Sequence, residues 1–379
     1  MTIPPAKQQS KVRVLVVDDS ALMRKILTEV LESDPEIEVV GTAADPLIAR
    51  ERIKALNPDV ITLDVEMPNL DGITFLERLM RLRPIPVVMV SALIPRDVDL
   101  TFQALELGAV DFIPKPKIDI ASNFEAMRAS VTSKIKAASK AKLQTHHSKA
   151  PAAQVTGRFQ GSNQIVAIGA STGGVSAILD VLSALPADAP PTVIVQHMPP
   201  GFTRQFAERL NKNCAMSVSE VTAGCRLLSG HAYIAPGDQH LVVERSGGFY
   251  FCRLEQGPAV SGHKPSVDVL FSSVAEAAGA NGIGLILTGM GQDGAVGLKK
   301  MRDSGAVTAN QNEASCLIYG MPKAAQAMGA SQFEIAIEDA AAFIMQQRRQ
   351  VAAHRDARSQ NCGDGFIGIS RSVEIALKN

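Results

Sequence analysis

A single serine sits where an apolar run bends into a helix. Ile165-Val-Ala-Ile168 leads into Gly169-Ala-Ser171-Thr-Gly173-Gly174, and apolar residues then recur at Val175, Ile178, Leu179 and Leu182, the spacing of one helix face. The bend fits the G-x-S-x-G pattern of a nucleophile elbow. The same glycines would also suit a nucleotide phosphate, because the first N–H groups of a helix lack backbone partners. Two other residues bear on the choice. His197 follows the run Thr192–Val195, and Asp293 stands in Thr288-Gly-Met-Gly-Gln-Asp293-Gly294. A serine hydroxyl needs a base to take its proton, and an imidazole needs a carboxylate to fix its tautomer. Ser171, His197 and Asp293 have the types that acyl transfer requires, as nucleophile, base and orienting acid.

A second constellation precedes the first. Asp18 and Asp19 end the run Val12–Val17, apolar but for Arg13, Asp64 ends Val60–Leu63, Ser91 ends Val87–Val90, and Lys115 follows Val110–Ile113. Carboxylates brought together repel unless a cation neutralises them. Oxygen donors of this kind favour Mg²⁺, which takes one or two carboxylates and keeps several waters. A hydroxyl and an ammonium opposite would hold a phosphoryl group, so Asp64 has the surroundings of an acyl-phosphate site. One acid at a strand end is often only a helix cap. Five polar groups along one edge need another reason.

Both sets depend on parallel sheets. Within residues 11–125, strands at 12–17, 39–40, 60–63, 87–90 and 110–113 alternate with helices after Ser20 and over 45–56, 72–82 and 96–106. That alternation predicts a doubly wound α/β sheet, whose crevice lies at the carboxyl ends of the strands. Residues 161–350 begin it again, with strands at 165–168, 192–195, 283–287 and 307–309. Helices are expected at 175–185, 202–212, 267–278, 295–304 and from Pro322. A β-rich insertion is expected between, with strands at 217–221, 232–235, 241–244 and 248–254. Ser171, His197 and Asp293 each follow a parallel strand, so they share one edge. His231, His240 and His263 do not, although His240 and His263 could line a groove. Asp238 and Asp268 are alternatives to Asp293, but Asp268 opens a helix, where an acid serves the dipole.

Other enzyme classes fit less well. Tyr319-Gly-Met-Pro-Lys323 has the Tyr-x-x-x-Lys spacing of short-chain dehydrogenases, but Pro322 prevents one regular helix from carrying both side chains. An α/β-hydrolase orders its partners Ser, Asp, His. At 379 residues two domains are expected. Lys+Arg and Asp+Glu are both 38, so bulk charge points to neither nucleic acid nor membrane. No basic recognition helix suggests a DNA-binding regulator. The five cysteines contain no C-x-x-C pair, which suggests free thiols in a reducing cytoplasm. The polar N-terminus is no signal peptide, and no apolar run reaches the roughly 20 residues of a membrane helix.

The motifs Val17-Asp18-Asp19-Ser20, Leu63-Asp64-Val65-Glu66-Met67-Pro68, Val90-Ser91-Ala92 and Ile113-Pro114-Lys115-Pro116 resemble a two-component receiver domain. The later motifs Gly169–Gly174, Gln196-His197-Met-Pro199, Ala235-Pro-Gly-Asp-Gln-His-Leu241, Pro265-Ser-Val-Asp-Val-Leu-Phe271, Thr288–Gly294 and Tyr319-Gly-Met-Pro322 resemble the catalytic domain of chemotaxis protein-glutamate methylesterases (CheB). Together they cover residues 11 to about 348. The resemblance implies a flavodoxin-like receiver at 11–125 and a catalytic domain at 161–350; between them, residues 126–160 read as a basic linker from composition alone, with lysines at 134, 136, 140, 142 and 149 and no acid. It implies that Asp64 accepts phosphate from a chemotaxis histidine kinase. Asp18, Asp19, Asp64 and the Glu66 carbonyl would hold Mg²⁺, Ser91 and Lys115 would touch the phosphoryl group, and Phe112 would be the aromatic switch. It further implies hydrolysis of glutamate γ-methyl esters, and deamidation of glutamines, on chemoreceptor helices. The N–H groups of Thr172 and, by likeness, Met290 would hold the oxyanion. The unphosphorylated receiver would cover the cleft. Residues 351–379 extend beyond the usual end of the family and carry no assigned role.

Overall fold

The computed structural model describes residues 11–67, 72–115, 124–143 and 163–347. Residues 68–71 of the turn before Gly72, Pro116, residues 144–162 of the expected linker and the tail 351–379 lie outside the described residues.

The first sheet contains β1 (Val12–Val17), β2 (Ile37–Ala43), β3 (Val60–Asp64), β4 (Val87–Ser91) and β5 (Asp111–Pro114). Their order is β2-β1-β3-β4-β5, parallel throughout. This is the flavodoxin-like arrangement expected, with the switch point beside β1 and β3. Strands covered on both faces read as unbroken apolar runs, and alternation decides which face each residue serves. Val14 and Val16 face α1 (Ala21–Glu32) and α5 (Phe124–Ala138), where Leu27, Val131 and Ile135 meet them. Leu15 and Val17 face the opposite layer of α2 (Pro46–Leu56), α3 (Gly72–Leu82) and α4 (Pro95–Glu106). Helix starts follow local chemistry. Ser20 Oγ accepts the N–H of Met23, and Asp45 Oδ1 accepts those of Leu47 and Ile48.

Helix α5 occupies the start of the stretch expected to be a connector. Its lysines are paired. Lys134 reaches Asp111 at 2.8 Å, and Lys136 reaches Asp34 and Glu36 at 2.9 Å each.

The second sheet has seven parallel strands in the order β15-β14-β13-β6-β7-β10-β8. These are β6 (Ile165–Ala170), β7 (Thr192–Gln196), β8 (Ser217–Glu220), β10 (His231–Ile234), β13 (Gly282–Ile286), β14 (Val307–Gln311) and β15 (Phe333–Ile335). The chain leaves β6 for β7 on one side and returns to β13 on the other, so the switch point lies at β6. Helices α6 (Gly174–Ala184) and α7 (Phe202–Asn213), with a helix over 340–347, cover one face. Helices α8 (Val267–Ala278), α9 (Ala295–Asp303) and α10 (Met321–Ala327) cover the other.

The expected insertion divides in two. Strands β8 and β10 pair parallel with their neighbours and lengthen the main sheet. Only β9 (Cys225–Arg226), β11 (His240–Ser246) and β12 (Phe249–Glu255) form a separate antiparallel sheet, packed on α8. Alternation marks a strand but not the direction of its partner, and short runs between turns look alike in either role. Strand β15 and helix 340–347 were not anticipated.

One apolar cluster runs through both halves. Phe102 of α4 stacks on Phe206 at 5.7 Å, and the Phe112 ring lies 4.3 Å from that of Phe202. Arg209 pairs with Glu106, and Lys142 with Glu313, around that contact. Among the described residues no helix is long and apolar enough to cross a membrane.

Candidate active site and phosphoacceptor site

Three neighbouring strands, β13, β6 and β7, bring Asp293, Ser171 and His197 to one edge. Ser171 lies one residue past β6. Its N–H donates to the Thr288 carbonyl at 3.1 Å, and the Gly174 N–H closes a turn onto its own carbonyl at 2.7 Å. Gly173 has φ of 79°, a left-handed conformation that glycine adopts without penalty. A Cβ at Gly174 would overlap Gln196 Oε1. Gln196 Nε2 in turn donates to the carbonyls of Ser171 at 2.9 Å and His197 at 3.2 Å, tying the two strand ends together.

His197 Nε2 lies 2.8 Å from Asp293 Oδ2. The carboxylate is 1% exposed. Oδ2 also accepts the Val267 N–H at 2.8 Å, while Oδ1 accepts Ser266 Oγ at 2.8 Å and the Asp268 N–H at 3.0 Å. The start of α8 therefore aims its unpaired donors at this one acid. Burial alone would raise the pKa of Asp293. The hydrogen bond from His197, with its charge whenever the ring is protonated, and the two backbone N–H groups hold it below the ordinary carboxylate value. With Nε2–H donating to Asp293, the lone pair of the ring is on Nδ1, which is buried and has no hydrogen-bond partner. A stacked ring covers the imidazole: His263 lies 3.7 Å away, centroid to centroid, at 10°. Burial, reinforced by His197, pushes His263 down to about 4, so it is neutral at physiological pH.

The rival residues have other work. Asp268 Oδ1 accepts the N–H of Gly297, joining α8 to α9. Burial and then the nearby Asp293 charge raise it, against that hydrogen bond. Asp238 is exposed in the turn before β11, and His231 starts β10, at the amino end of the strands and opposite the end that carries Ser171. His240 is buried, with Nδ1 accepting from the Ser266 N–H at 3.2 Å and Nε2 bonded to the Pro258 carbonyl at 2.9 Å. Tyr319 precedes α10 and bonds Gln326 and Glu334, away from any helix shared with Lys323. Gln311 accepts the Thr288 N–H at 2.8 Å, so it supports the loop under Ser171.

Thr172 and Met290 face the first sheet. The Thr172 hydroxyl donates to Asp111 Oδ2 at 2.5 Å, and Ser133 Oγ donates to Met290 Sδ at 3.6 Å. A cavity of about 750 Å³ opens here, with Ser171, Val175 and Gln196 on one wall and Glu106, Asp111 and Phe112 on the other.

At the first sheet's edge, Asp18, Asp19 and Asp64 each place an oxygen within 4.8 Å of the others. Lys115 Nζ is 2.7 Å from Asp64 Oδ2 and 3.7 Å from Asp18 Oδ2. Burial, with the Asp18 charge adding to it and Lys115 opposing, raises Asp64 to about 6. Burial also raises Asp18, again against Lys115. Asp18 Oδ2 is buried without a hydrogen-bond partner. An orphaned carboxylate oxygen between two other acids fits a divalent cation with oxygen ligands. Glu66 follows two residues after Asp64 and its side chain faces Arg96 at 3.5 Å. Ser91 is turned elsewhere: its hydroxyl receives Thr101 Oγ1 at 2.7 Å and points at the Asp97 carbonyl. Phe112 is buried, with Lys134 Nζ 4.9 Å from its ring centroid.

Ser266, Gln196, the stacking of His263 and the Asp111–Thr172 bond were missed from sequence. Pro265-Ser266-Val-Asp268 before an apolar helix is a cap signal and could have pointed to Ser266. Nothing local pairs Asp111 with Thr172, 61 residues apart.

A family model for the CheB methylesterase matches residues 166–344, and one for the response regulator receiver domain matches residues 14–123. The protein-glutamate methylesterase/protein-glutamine glutaminase 2 of Xanthomonas oryzae pv. oryzae is 55% identical over 348 residues, covering 89% of this chain and 97% of that protein. The protein-glutamate methylesterase/protein-glutamine glutaminase of Escherichia coli K12 is 55% identical over 321 residues, covering 84% of this chain and 92% of that protein. Among solved structures, the Thermotoga maritima CheB methylesterase catalytic domain is similar at 34% identity, covering 49% of this chain and 98% of that one with a TM-score of 0.48. Identity of this extent across almost the whole length of both curated relatives shows that the chain belongs to the CheB family of protein-glutamate methylesterases/protein-glutamine glutaminases.

Proposed function

We propose that this protein is a phosphorylation-activated serine esterase. It hydrolyses glutamate γ-methyl esters on the cytoplasmic helices of methyl-accepting chemoreceptors, and deamidates receptor glutamines at the same site. The observation that carries the reading is the buried His197–Asp293 pair on the strands flanking the Ser171 turn.

Asp293 stays ionised and fixes His197 with its proton on Nε2. Nδ1 then takes the Ser171 proton as the hydroxyl attacks the ester carbonyl. The N–H groups of Thr172 and Met290 hold the oxyanion, and methanol leaves with the proton returned by His197. Water, deprotonated by the same Nδ1, releases the glutamate. The stacked His263 excludes water from one face of the base without bringing a charge.

Residues 11–125, completed by α5, act as the receiver, and residues 161–350 as the esterase. A chemotaxis histidine kinase supplies the phosphoryl group to Asp64. Asp18, Asp19, Asp64 and the Glu66 carbonyl would hold Mg²⁺, which when bound would neutralise the charge of the incoming group. Lys115 lies ready to pair with the phosphoryl oxygens, and Ser91 reaches them after leaving Thr101. Phe112, packed on Phe202, changes the fit of the receiver over the cleft. The protein works in the cytoplasm, on membrane-anchored receptors, and not on DNA.

Methanol release from methylated receptor membranes tests the reading, with and without a phosphodonor. Activity should rise with the donor. Ser171→Ala should lose about 10⁴-fold or more, and near-normal release by that variant would sink the assignment.

A further inference from the structure

Cys225 and Cys252 stand directly opposite one another where β9 pairs with β12. Their sulfurs are 3.3 Å apart, and the Cys252 thiol also lies 3.5 Å from the Cys225 carbonyl. Directly opposed residues of an antiparallel pair have Cα atoms about 4.5–5.5 Å apart, within the roughly 4.4–6.8 Å that a disulfide spans. The two thiols differ in access. Cys225 is exposed, while Cys252 is 2% exposed. This is the arrangement of an attacking thiol with a resolving partner behind it. Among the described residues Cys214 and Cys316 have no such partner. Burial pushes them up to about 11 and 12, and pushes Cys252 up to about 12 as well, so it is the opposed exposed thiol of Cys225 that sets Cys252 apart.

We propose that Cys225 and Cys252 form a reversible redox modification site that low-molecular-weight disulfides oxidise to an intramolecular cross-strand disulfide. The Cys225 thiolate attacks one sulfur of the small disulfide. That S–S bond breaks and one small thiol leaves with a proton. Cys252 then gives up its proton and attacks the Cys225 sulfur, expelling the second small thiol. The protein loses two hydrogens and the co-reactant gains two. Exposed disulfides of this kind are readily reduced again. The sheet that would be pinned is not remote from the esterase: β11 packs on α8, Ser273 Oγ of α8 receives the Val243 N–H at 2.9 Å, and His240 at the start of β11 holds Ser266.

Full-length native protein, reduced and freed of reductant, should be incubated with graded ratios of glutathione disulfide to glutathione and quenched in acid. Intact mass should show a species lighter by two hydrogens, and its digest should link the Cys225 and Cys252 peptides. Dithiothreitol should restore the starting mass. Cys252→Ser should instead accumulate a stable glutathione adduct on Cys225. If that buried change prevents folding, Cys225→Ser at the exposed position serves, and should leave Cys252 unmodified throughout. A lasting glutathione adduct on Cys225 in the unaltered protein, a linkage through Cys214, Cys316 or Cys362 in place of this pair, or no oxidation at any ratio would overturn the proposal.

Discussion

The Thr172 hydroxyl donates to the Asp111 carboxylate at 2.5 Å, joining the residue after the proposed nucleophile to the strand that carries Phe112. Asp111 also accepts the Phe112 N–H at 2.7 Å and pairs with Lys134 at 2.8 Å. A receiver that restrains the esterase should lose grip when this bond is removed. A hydrogen bond to a charged group contributes about 1.5–3 kcal/mol, of which a part would reach the open–closed balance. Asp111→Ala should raise methanol release without phosphodonor by roughly three- to tenfold. Unchanged or lower basal activity in a folded variant would count against it.

Gly289 occupies the space behind the proposed nucleophile. A Cβ there would lie 2.8 Å from Ser171 Cβ and would overlap Met321 Sδ. Gly289→Ala should therefore displace Ser171 while the sheet stays intact. Misplacement of a reacting group by about 1 Å costs on the order of 10²-fold. Turnover should fall by about that factor with the circular dichroism spectrum unchanged. Near-normal turnover would show that the serine tolerates the push.

Asp64→Asn removes the acid closest to Lys115 and should abolish mass gain after treatment with acetyl phosphate and Mg²⁺. Phosphorylation at the unaltered level would move the acceptor elsewhere, with Asp18 and Asp19 next in line.

His263 gives a pH dependence whose sign can be worked out. Its pKa is lowered from 6.5 to about 4, chiefly by burial and then by His197. Between those values the unfolded chain binds a proton that the folded chain refuses. Stability should therefore fall as pH drops from about 6.5 towards 4, by up to about 3 kcal/mol from this group. His263→Phe keeps a ring over His197 but cannot titrate. Its melting temperature should fall less steeply across that window than that of the unaltered protein, and parallel curves would remove His263 as the source.

The order of strands and helices was legible because both sheets are covered on two faces, so inner strands such as β4, β6, β7 and β13 are largely apolar runs bounded by glycine, proline or a polar residue. Asp18, Asp64 and Lys115 were legible together for the same reason: a polar residue ending such a run lies at the carboxyl edge. The sharing of one edge by Ser171, His197 and Asp293 followed from parallel pairing alone. Periodicity did not disclose that β8 and β10 join the main sheet, because two residues per repeat carry no direction. The three donors that α8 supplies to Asp293 were also hidden, since residues 266–268 meet residue 293 only after the helices pack. The contact of Thr172 with Asp111 depends on how two separately readable sheets dock, and no local pattern encodes that.

The adjacency of β13, β6 and β7 has a consequence for the chain as it is made. Ser171 and His197 emerge from the ribosome early, on neighbouring strands, while the carboxylate that fixes the imidazole is 96 residues further on. A nascent chain stalled before β13 carries the serine and the imidazole on adjacent strand ends, without the acid that orients the ring. On the proposed mechanism, hydrolytic competence arrives late in synthesis, after the receiver half has been available to fold for more than a hundred residues. Truncated products of translation should be inert towards esters, a safeguard that comes from strand order alone.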